Sequence, residues 1–323
     1  MNIRPWIIAI VSFAAVAVAA DYLITRWAID ENPSSNAGRI RHLVNEHSDE
    51  IPIFGSSKVY YDYVPAEMGL NAFNYGLDGS SYEVTDALLD IELAKHKTAP
   101  IIIDLKPQAE HGIGDPSTYI PFAYDPHIRR LFDDSDSMVW RYYVPGIRYF
   151  GYYDYYLKEL IDDRAHVMRT VERGFSHEKY WTFDRARLDD AIGQRIRESN
   201  GYFPDDAQNS RLIERIKQHP DRLFFLVYSP VHSSCYVNFQ NLDRFEAFKA
   251  KLGSMQNVVV LDLERTDYPD EWFKDTNHLL YEGAAEFSRS LGRRIKEVLQ
   301  TRERIEGQRT NVTPGGAPAS GIG

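Results

Sequence analysis

The sequence predicts an α/β protein with three layers, in which a doubly wound, mostly parallel sheet of five strands lies between helices. From about residue 50 onward, short apolar runs typical of buried strands alternate with stretches of helical periodicity. This alternation is typical of a parallel sheet that is covered by helices on both faces. A length of 323 residues and a hydrophobic content of 43% are sufficient for a large packed core.

Five strands are predicted from the apolar runs, and several of these runs are apolar enough for burial on both faces. In a parallel sheet the reactive groups gather at the carboxyl ends of the strands, which places Ser56 and Ser57 at a candidate site. The predicted strands are Ile51–Phe54, Ala72–Tyr75, Ile101–Leu105, Phe224–Tyr228 and Val258–Leu261.

Helices are predicted where apolar residues recur at three- or four-residue spacing and so share one face. Three such helices lie between the strands, and a fourth follows the last strand. The shared faces are Val84, Leu88 and Ile91; Leu212, Ile213 and Ile216; Leu242, Phe245, Phe248 and Leu252; and Leu280, Ala284, Phe287, Leu291 and Ile295.

Residues 1 to 28 predict contact with a membrane, because residues 6 to 20 are apolar and a second apolar turn follows Asp21. A cleaved signal peptide fits the small residues of Ala17-Val18-Ala19, whereas an uncleaved anchor fits the apolar continuation to Trp27. A helix from residue 6 to Trp27 is about 33 Å long and crosses a bilayer, so we expect an anchor. Asp21 is then expected near one edge of the bilayer, with the rest of the chain outside the cytoplasm.

Residues 29 to 49 are interpreted as a linker and residues 50 to 300 as the α/β domain. Within this domain, the stretch from about 108 to 206 breaks the alternation with Pro and Gly, so it is interpreted as a helical, aromatic-rich insertion. Its tyrosines are suited to stacking on sugar rings, to a membrane interface or to packing on the core.

Residues 301 to 323 form a low-complexity end that predicts a disordered tail. Asn311-Val312-Thr313 in this tail matches a short glycosylation motif.

Composition and motifs exclude several classes of function. A net charge of −10 and a pI near 5.5 argue against nucleic-acid partners, which require clustered Lys and Arg. The single cysteine, Cys235, excludes an internal disulfide and a Cys-rich zinc site. The sequence also lacks the patterns of a P-loop, a dinucleotide fold, a zinc protease, an EF-hand and the G-x-S-x-G elbow. We therefore expect no metal and no organic cofactor.

The residues that remain as candidates for catalysis are a serine and, elsewhere in the sequence, an Asp and a His. A serine nucleophile needs a base within hydrogen-bond reach, and the base must be oriented by a third group. Asp275 and His278 are three residues apart in a segment that leads into the last helix, so the carboxylate can bond one imidazole nitrogen. His232, which follows the fourth strand, is the competing candidate for the base.

These motifs resemble the blocks of the SGNH or GDSL hydrolases, and the resemblance extends from about residue 50 to 300 outside the insertion. "FGSS" is similar to the first block with Ser57 at the nucleophile, "FNYGLDGSS" offers Gly79 at the oxyanion glycine, and Asp275 and His278 match Asp-x-x-His. The resemblance implies a flavodoxin-like fold and a serine esterase or O-acyltransferase. It also implies that the amides of Ser57 and Gly79 hold the oxyanion, without a metal or cofactor.

One block departs from the family, since "LKPQAE" stands where most members have Gly-x-Asn-Asp. Gln108 is the candidate replacement for the missing asparagine, whose loss typically costs about 10²–10³ in rate. With the N-terminal anchor, this departure resembles exported members that work beside membrane-bound O-acyltransferases. That resemblance implies acyl groups, acetyl above all, on a surface glycan. The alternative is a glycan-binding or assembly component that keeps the fold without the chemistry.

Overall fold

The computed structural model describes residues 3–30, 35–107, 112–113, 115–132, 139–165, 169–178, 181–198 and 200–310. These residues confirm the predicted α/β class, with a five-stranded parallel sheet in the order β2-β1-β3-β6-β7 and a separate antiparallel hairpin, β4-β5. The strands are β1 (Ile51–Phe54), β2 (Ala72–Asn74), β3 (Ile101–Asp104), β4 (Arg169–Glu172), β5 (Phe175–Glu178), β6 (Phe224–Tyr228) and β7 (Val258–Asp262).

Helices cover the sheet, as the periodicity of the sequence predicts. They are α1 (Arg4–Ile24), α2 (Asn36–Asn45), α3 (Ser57–Asp62), α4 (Pro65–Met68), α5 (Tyr82–Leu93), α6 (Pro126–Arg129), α7 (Tyr153–Ala165), α8 (Arg185–Arg197), α9 (Asp206–Gln218), α10 (Leu242–Gly253) and α11 (Tyr281–Thr310).

The sheet separates two hydrophobic cores, one on each face, because successive side chains of a strand point to opposite sides. On β3, Ile101 and Ile103 belong to the core that contains α2, α5, α9 and α10. Ile102, between them, belongs to the core that contains α3, α4 and α11. This pattern explains why the strands are apolar at consecutive positions, and it gives the three layers.

The segment from 29 to 49, interpreted from the sequence as a linker, contains helix α2 and is part of the fold. The physical reason is Arg39, whose side chain is completely buried. Its guanidinium donates to the carbonyls of Gly174 at 2.8 Å and Gly76 at 3.0 Å, and it lies 3.9 Å from the ring centre of Tyr60. Arg39 therefore joins the supposed linker to the β4-β5 turn and to the loop after β2.

The insertion between β3 and β6 is only partly helical, because it also contains the β4-β5 hairpin that the sequence does not predict. The hairpin turn caps the edge strand β2, where the carbonyl of Arg173 accepts from the amide of Asn74 at 2.9 Å. Covering an exposed edge strand in this way protects it from pairing with other chains. In the aromatic segment, Tyr149 and Tyr156 are buried with ring centres 4.6 Å apart.

The last helix extends to Thr310, so the predicted disorder is wrong for residues 301 to 310. This stretch is rich in Glu, Arg and Gln, which are strong helix formers, and its side chains reach the domain. Arg302 donates to the carbonyl of Gln256 at 2.8 Å. The motif Asn311-Val312-Thr313 lies outside the described residues.

The N-terminal helix is long and apolar enough to cross a membrane. It runs from Arg4 to Asp30, and its most apolar 18-residue window has a mean hydropathy of 2.4 and is only 6% buried in the protein. The segment Thr25–Asp30 at its end is wound as a π-helix. In contrast to the other side chains around it, Asp21 is buried, with 3% of its surface exposed.

Candidate active site

Ser57 is the first residue of α3, immediately after the carboxyl end of β1. A tight turn through Gly55 and Ser56 makes this placement possible. A Cβ atom on Gly55 would lie 2.4 Å from Val59 Cγ2 and 3.2 Å from Asp104 Cβ, so a larger residue would push α3 away from β3. The turn thus presents Ser57 at the edge of the sheet where the sequence predicts the site.

Ser57, His278 and Asp275 form a continuous chain of hydrogen bonds. The Nε2 atom of His278 lies 2.9 Å from Ser57 Oγ, and Nδ1 lies 3.0 Å from both carboxylate oxygens of Asp275. Because a carboxylate only accepts, Nδ1 carries the proton in the neutral ring and Nε2 is free to accept from the serine hydroxyl. This is the geometry of a nucleophile, its base and the group that orients the base.

The loop that carries the histidine is tied directly to the helix that carries the serine. Asp62, at the end of α3, accepts from the amide of Leu279 at 2.8 Å. The side chain of Asp62 is completely buried, and burial raises its pKa well above the usual range. Asp62 thus holds Ser57 and His278 in register across 217 residues of chain.

The environment of Asp275 keeps this carboxyl ionised. Burial acts against ionisation, but the hydrogen bonds and charge of His278 and the backbone amides of Asn277 and His278 outweigh it, and the pKa of Asp275 falls to about 2. A carboxylate that stays charged at neutral pH can stabilise an imidazolium beside it.

We expect Asp275→Asn to lower the free energy of unfolding by about 2 kcal/mol at neutral pH, as the pKa shift implies. Because the folded pKa is depressed, this stabilisation is complete above about pH 4, the range of an unfolded Asp, and is lost as the pH falls towards 2. Urea unfolding at several pH values measures it, with the exposed Asp267→Asn as the control. A difference from wild type that stays constant between pH 5 and pH 2 contradicts the assignment.

A cavity of about 220 Å³ opens beside Ser57 and His278. Its described lining has three basic side chains and one acidic side chain, and one of the basic ones, Arg195, also lies 3.6 Å from Glu198, so basic side chains outnumber acidic ones there although the whole chain is negative. The lining is Ser57, Lys58, Lys106, Pro107, Arg195, Asn200, Gly201, Val231, Cys235, Tyr236, Phe239, Glu264, Asn277 and His278.

Most of these lining residues carry no signal in the sequence. Lys58 follows Ser57 directly, and its buried ammonium donates to the carbonyl of Ser229 at 2.8 Å. Glu264 is buried nearby, and burial raises its pKa although the charge of Lys58 opposes the shift. Arg195 and Asn200 come from the insertion. Only Lys58 had a signal in the sequence, namely its position next to the candidate nucleophile.

His232 has other partners and is not among the residues that line this cavity in the described part of the chain. Its Nδ1 lies 2.9 Å from Ser234 Oγ and caps the short 3-10 helix Ser233–Tyr236, and its Nε2 lies 3.2 Å from Asp270 Oδ1. Its backbone amide donates to the carbonyl of Thr276 at 3.0 Å. His232 therefore supports the loop before His278.

Of the two other predicted oxyanion donors, only Gly79 lies among the described residues. Gly79 lies exposed in the turn after β2 with a positive φ of 69°, and it is not among the described lining residues. Gln108 lies outside the described residues. Asn200 and Asn277 are the side-chain amides that do line the cavity.

One cluster among the described residues has the side chains to hold a metal ion. His42 Nε2 lies 3.6 Å from Glu46 Oε2 and 3.4 Å from Glu50 Oε2. The hydroxyl of Tyr75 donates to the other oxygen of Glu50 at 2.6 Å. Glu50 precedes β1, so the cluster is at the opposite end of that strand from Ser57. These contacts are those of an ordinary ion pair and are separate from the triad.

No protein-family model and no curated protein matches this chain, so the activity of the site has to be inferred from its own residues.

Proposed function

We propose that the protein is an SGNH-type serine esterase or O-acyltransferase that acts on acyl groups, acetyl above all, of a glycan outside the cytoplasm. The observation that carries the proposal is the 2.9 Å contact between His278 Nε2 and Ser57 Oγ, with Asp275 on the other ring nitrogen. This contact lies beside a cavity large enough for an acyl group and part of a sugar.

In the proposed reaction, Ser57 Oγ attacks the acyl carbonyl carbon while His278 Nε2 takes the hydroxyl proton. Asp275 stabilises the imidazolium that forms. The tetrahedral intermediate then breaks its bond to the alcohol, which leaves with the proton from His278, and an acyl-serine remains. A water or a sugar hydroxyl attacks this ester, again with His278 as the base, and Ser57 is regenerated.

The oxyanion would be held by the backbone amide of Ser57, as the first turn of α3 allows. Gly79 and Gln108 remain proposals implied by the family resemblance. Asn200 and Asn277 are further candidates, because both line the cavity and an amide side chain supplies the same kind of donor as the missing asparagine.

Two aromatic rings close to His278 favour a sugar. Tyr61 stands edge-on to His278 with ring centres 5.4 Å apart, and Trp181 lies 4.8 Å from Tyr61. Flat rings of this kind stack on the apolar faces of sugars. They are also what favours the second candidate function, a glycan-binding component that has lost its chemistry.

A serine-reactive fluorophosphonate probe separates the two functions, since it reacts only with an activated serine. We expect the full chain to be labelled at Ser57, as read by peptide mass spectrometry, and labelling to require His278. If the native protein is not labelled, it is a binding protein.

The charge of the cavity predicts a preference for anionic substrates. Arg195 lines the cavity from α8 and is held there by Asn200 at 3.1 Å. We expect Arg195→Gln to raise KM about tenfold for an acetyl ester that carries a carboxylate, equivalent to ~1.4 kcal/mol, and to leave KM for a neutral ester unchanged.

Two further variants test whether the change in KM depends on the charge at position 195. Arg195→Lys keeps the positive charge and should retain the preference, while Arg187→Gln removes an exposed arginine from the same helix. Equal changes in KM for the charged and neutral esters would show that Arg195 only maintains the shape of the cavity.

We further propose that α1 anchors the protein, with the catalytic domain on the extracytoplasmic side and a membrane-bound O-acyltransferase as its partner. A helix of this length and hydropathy supports the anchor. The protein should then sediment with membranes and resist extraction by salt. Its appearance in the soluble fraction without residues 1 to 20 would contradict the anchor.

A further inference from the structure

The insertion carries a concentration of exposed apolar side chains that the proposed chemistry does not use. In the described part of the chain after Asp30, the large exposed apolar residues outside the stretch 124–161 are scattered singly, at Ile196, Phe203, Val237, Leu242 and Ile305. Scattered apolar residues are normal on a protein surface, whereas a cluster marks an interaction site. The cluster is Tyr124, Trp140, Tyr143, Val144, Phe150, Tyr153, Leu157 and Ile161.

On α7 these side chains form one stripe. Tyr153, Leu157 and Ile161 are four residues apart, so they lie above one another on the same face of the helix, and Leu157 is 56% exposed. Tyr156 is buried on another face against Tyr149. The helix is therefore packed on its inner side and carries an apolar stripe on its outer side, where the charged residues Asp154 and Lys158 are also exposed.

Three residues of this region, Gly146, Arg148 and Tyr149, bind the apolar N-terminal segment. Arg148 donates to both carboxylate oxygens of Asp21, at 2.7 and 2.8 Å, and the amide of Gly146 donates to the same carboxylate at 3.1 Å. The hydroxyl of Tyr149 lies 2.8 Å from Thr25 Oγ1. The charge of Asp21 is thus satisfied by protein, so Asp21 does not need the water at the edge of a bilayer.

Another contact between this region and α1 lies closer to the middle of the helix than Asp21 does. A Cβ atom on Gly146 would lie 3.3 Å from the backbone of Ala17, so the two chains touch there. Ala17 precedes Asp21 by four residues, or about 6 Å along the helix, and precedes Ile24 by about 10 Å. With 21 residues, α1 is about as long as the hydrocarbon core is thick. The loop at Gly146 therefore contacts α1 within the length that we expect to span the membrane, and not beyond its C-terminal end.

We propose that residues 144 to 161 are a second membrane contact, which lies in the lipid leaflet beside α1 with its outer face against acyl chains. The proposal rests on the membrane anchoring proposed above. Lipid is the occupant because the surface is continuous with the spanning helix, and because the contact at Ala17 places it at the depth of interfacial helices, about 5–10 Å into the bilayer. A helix and an adjacent apolar face together fix the orientation of the domain relative to the membrane.

The test uses the full chain in lipid nanodiscs that contain no other protein. Single cysteines at Phe150, Leu157, Ile196 and Val11, introduced in a Cys235→Ser background, carry a nitroxide label. Electron paramagnetic resonance then compares collisions with oxygen, which concentrates in lipid, and with a water-soluble nickel chelate. Ile196 is the matched control, as an exposed apolar residue on α8.

We expect the labels at Phe150 and Leu157 to collide more with oxygen than with nickel, and the label at Ile196 to show the reverse. If Phe150 and Leu157 are as accessible to nickel as Ile196, the surface does not bind lipid, and a membrane-protein partner becomes its occupant. The label at Val11 separates the two proposals, because nickel accessibility there would show that α1 itself does not span. None of these readings depends on catalysis.

Discussion

Ser57→Ala is expected to reduce turnover of an activated acetyl ester by at least about 10⁴-fold, because it removes the hydroxyl that His278 contacts and that we propose forms the acyl intermediate. The fold should be retained, since the hydroxyl at this position contacts His278 at the edge of the cavity and the change only removes one oxygen atom. Turnover is measured by release of a chromophoric alcohol, and circular dichroism reports the fold.

The neighbouring serine provides the matched control. Ser56 is buried, and its Oγ has no hydrogen-bond partner within the described residues. We expect Ser56→Ala to retain turnover close to that of the wild type. If Ser56→Ala is the inactive variant and Ser57→Ala is active, the nucleophile has been assigned to the wrong serine.

His278→Ala is the second substitution with a large expected effect, also on the order of 10⁴-fold in turnover. Without the imidazole, the serine proton loses its acceptor in the triad, and Asp275 keeps only its backbone partners, the amides at positions 277 and 278. The matched control is His232→Ala, which removes a histidine that also lies between a serine and an aspartate but outside the cavity lining.

We expect His232→Ala to retain turnover within about tenfold and to act mainly on stability, because it removes a buried polar network. Measuring both variants at several pH values separates the roles, since only loss of the base removes the pH dependence of acylation. An inactive, stable His232→Ala beside an active His278→Ala would reverse the assignment of the base.

The sheet could be predicted from sequence because its signal is local. Each strand is apolar on both faces, so four or five consecutive residues were sufficient to locate it, and the helical faces are equally local. The carboxyl ends of parallel strands share one edge, which places Ser56 and Ser57 near the segment of Asp275 and His278. The choice of Ser57 as the nucleophile rests on the resemblance to the SGNH hydrolases.

The parts that were not predicted depend on contacts between distant residues. Helix α2 has a weak apolar pattern, and its place in the fold depends on Arg39, whose partners lie 37 and 135 residues away. The cavity lining could not be predicted for the same reason. Arg195 and Asn200 belong to the insertion, and no local sequence pattern predicts that they lie beside Ser57. Glu264 belongs to no recognisable sequence motif.

If the chain is exported as proposed above, the ion pair between Asp21 and Arg148 forms late in synthesis, because its members are 127 residues apart. At about 5–20 residues per second, the ribosome makes the arginine about 6–25 s after the aspartate. During that interval the small residues from Ala17 to Ala19 are not yet covered by Gly146, and a leader peptidase has its opportunity to cut. Folding of the domain and cleavage by the peptidase should therefore compete.

Pulse-chase labelling should show more cleaved chain for Arg148→Ala than for wild type, whereas two uncleaved proteins would mean that the peptidase never recognises this site.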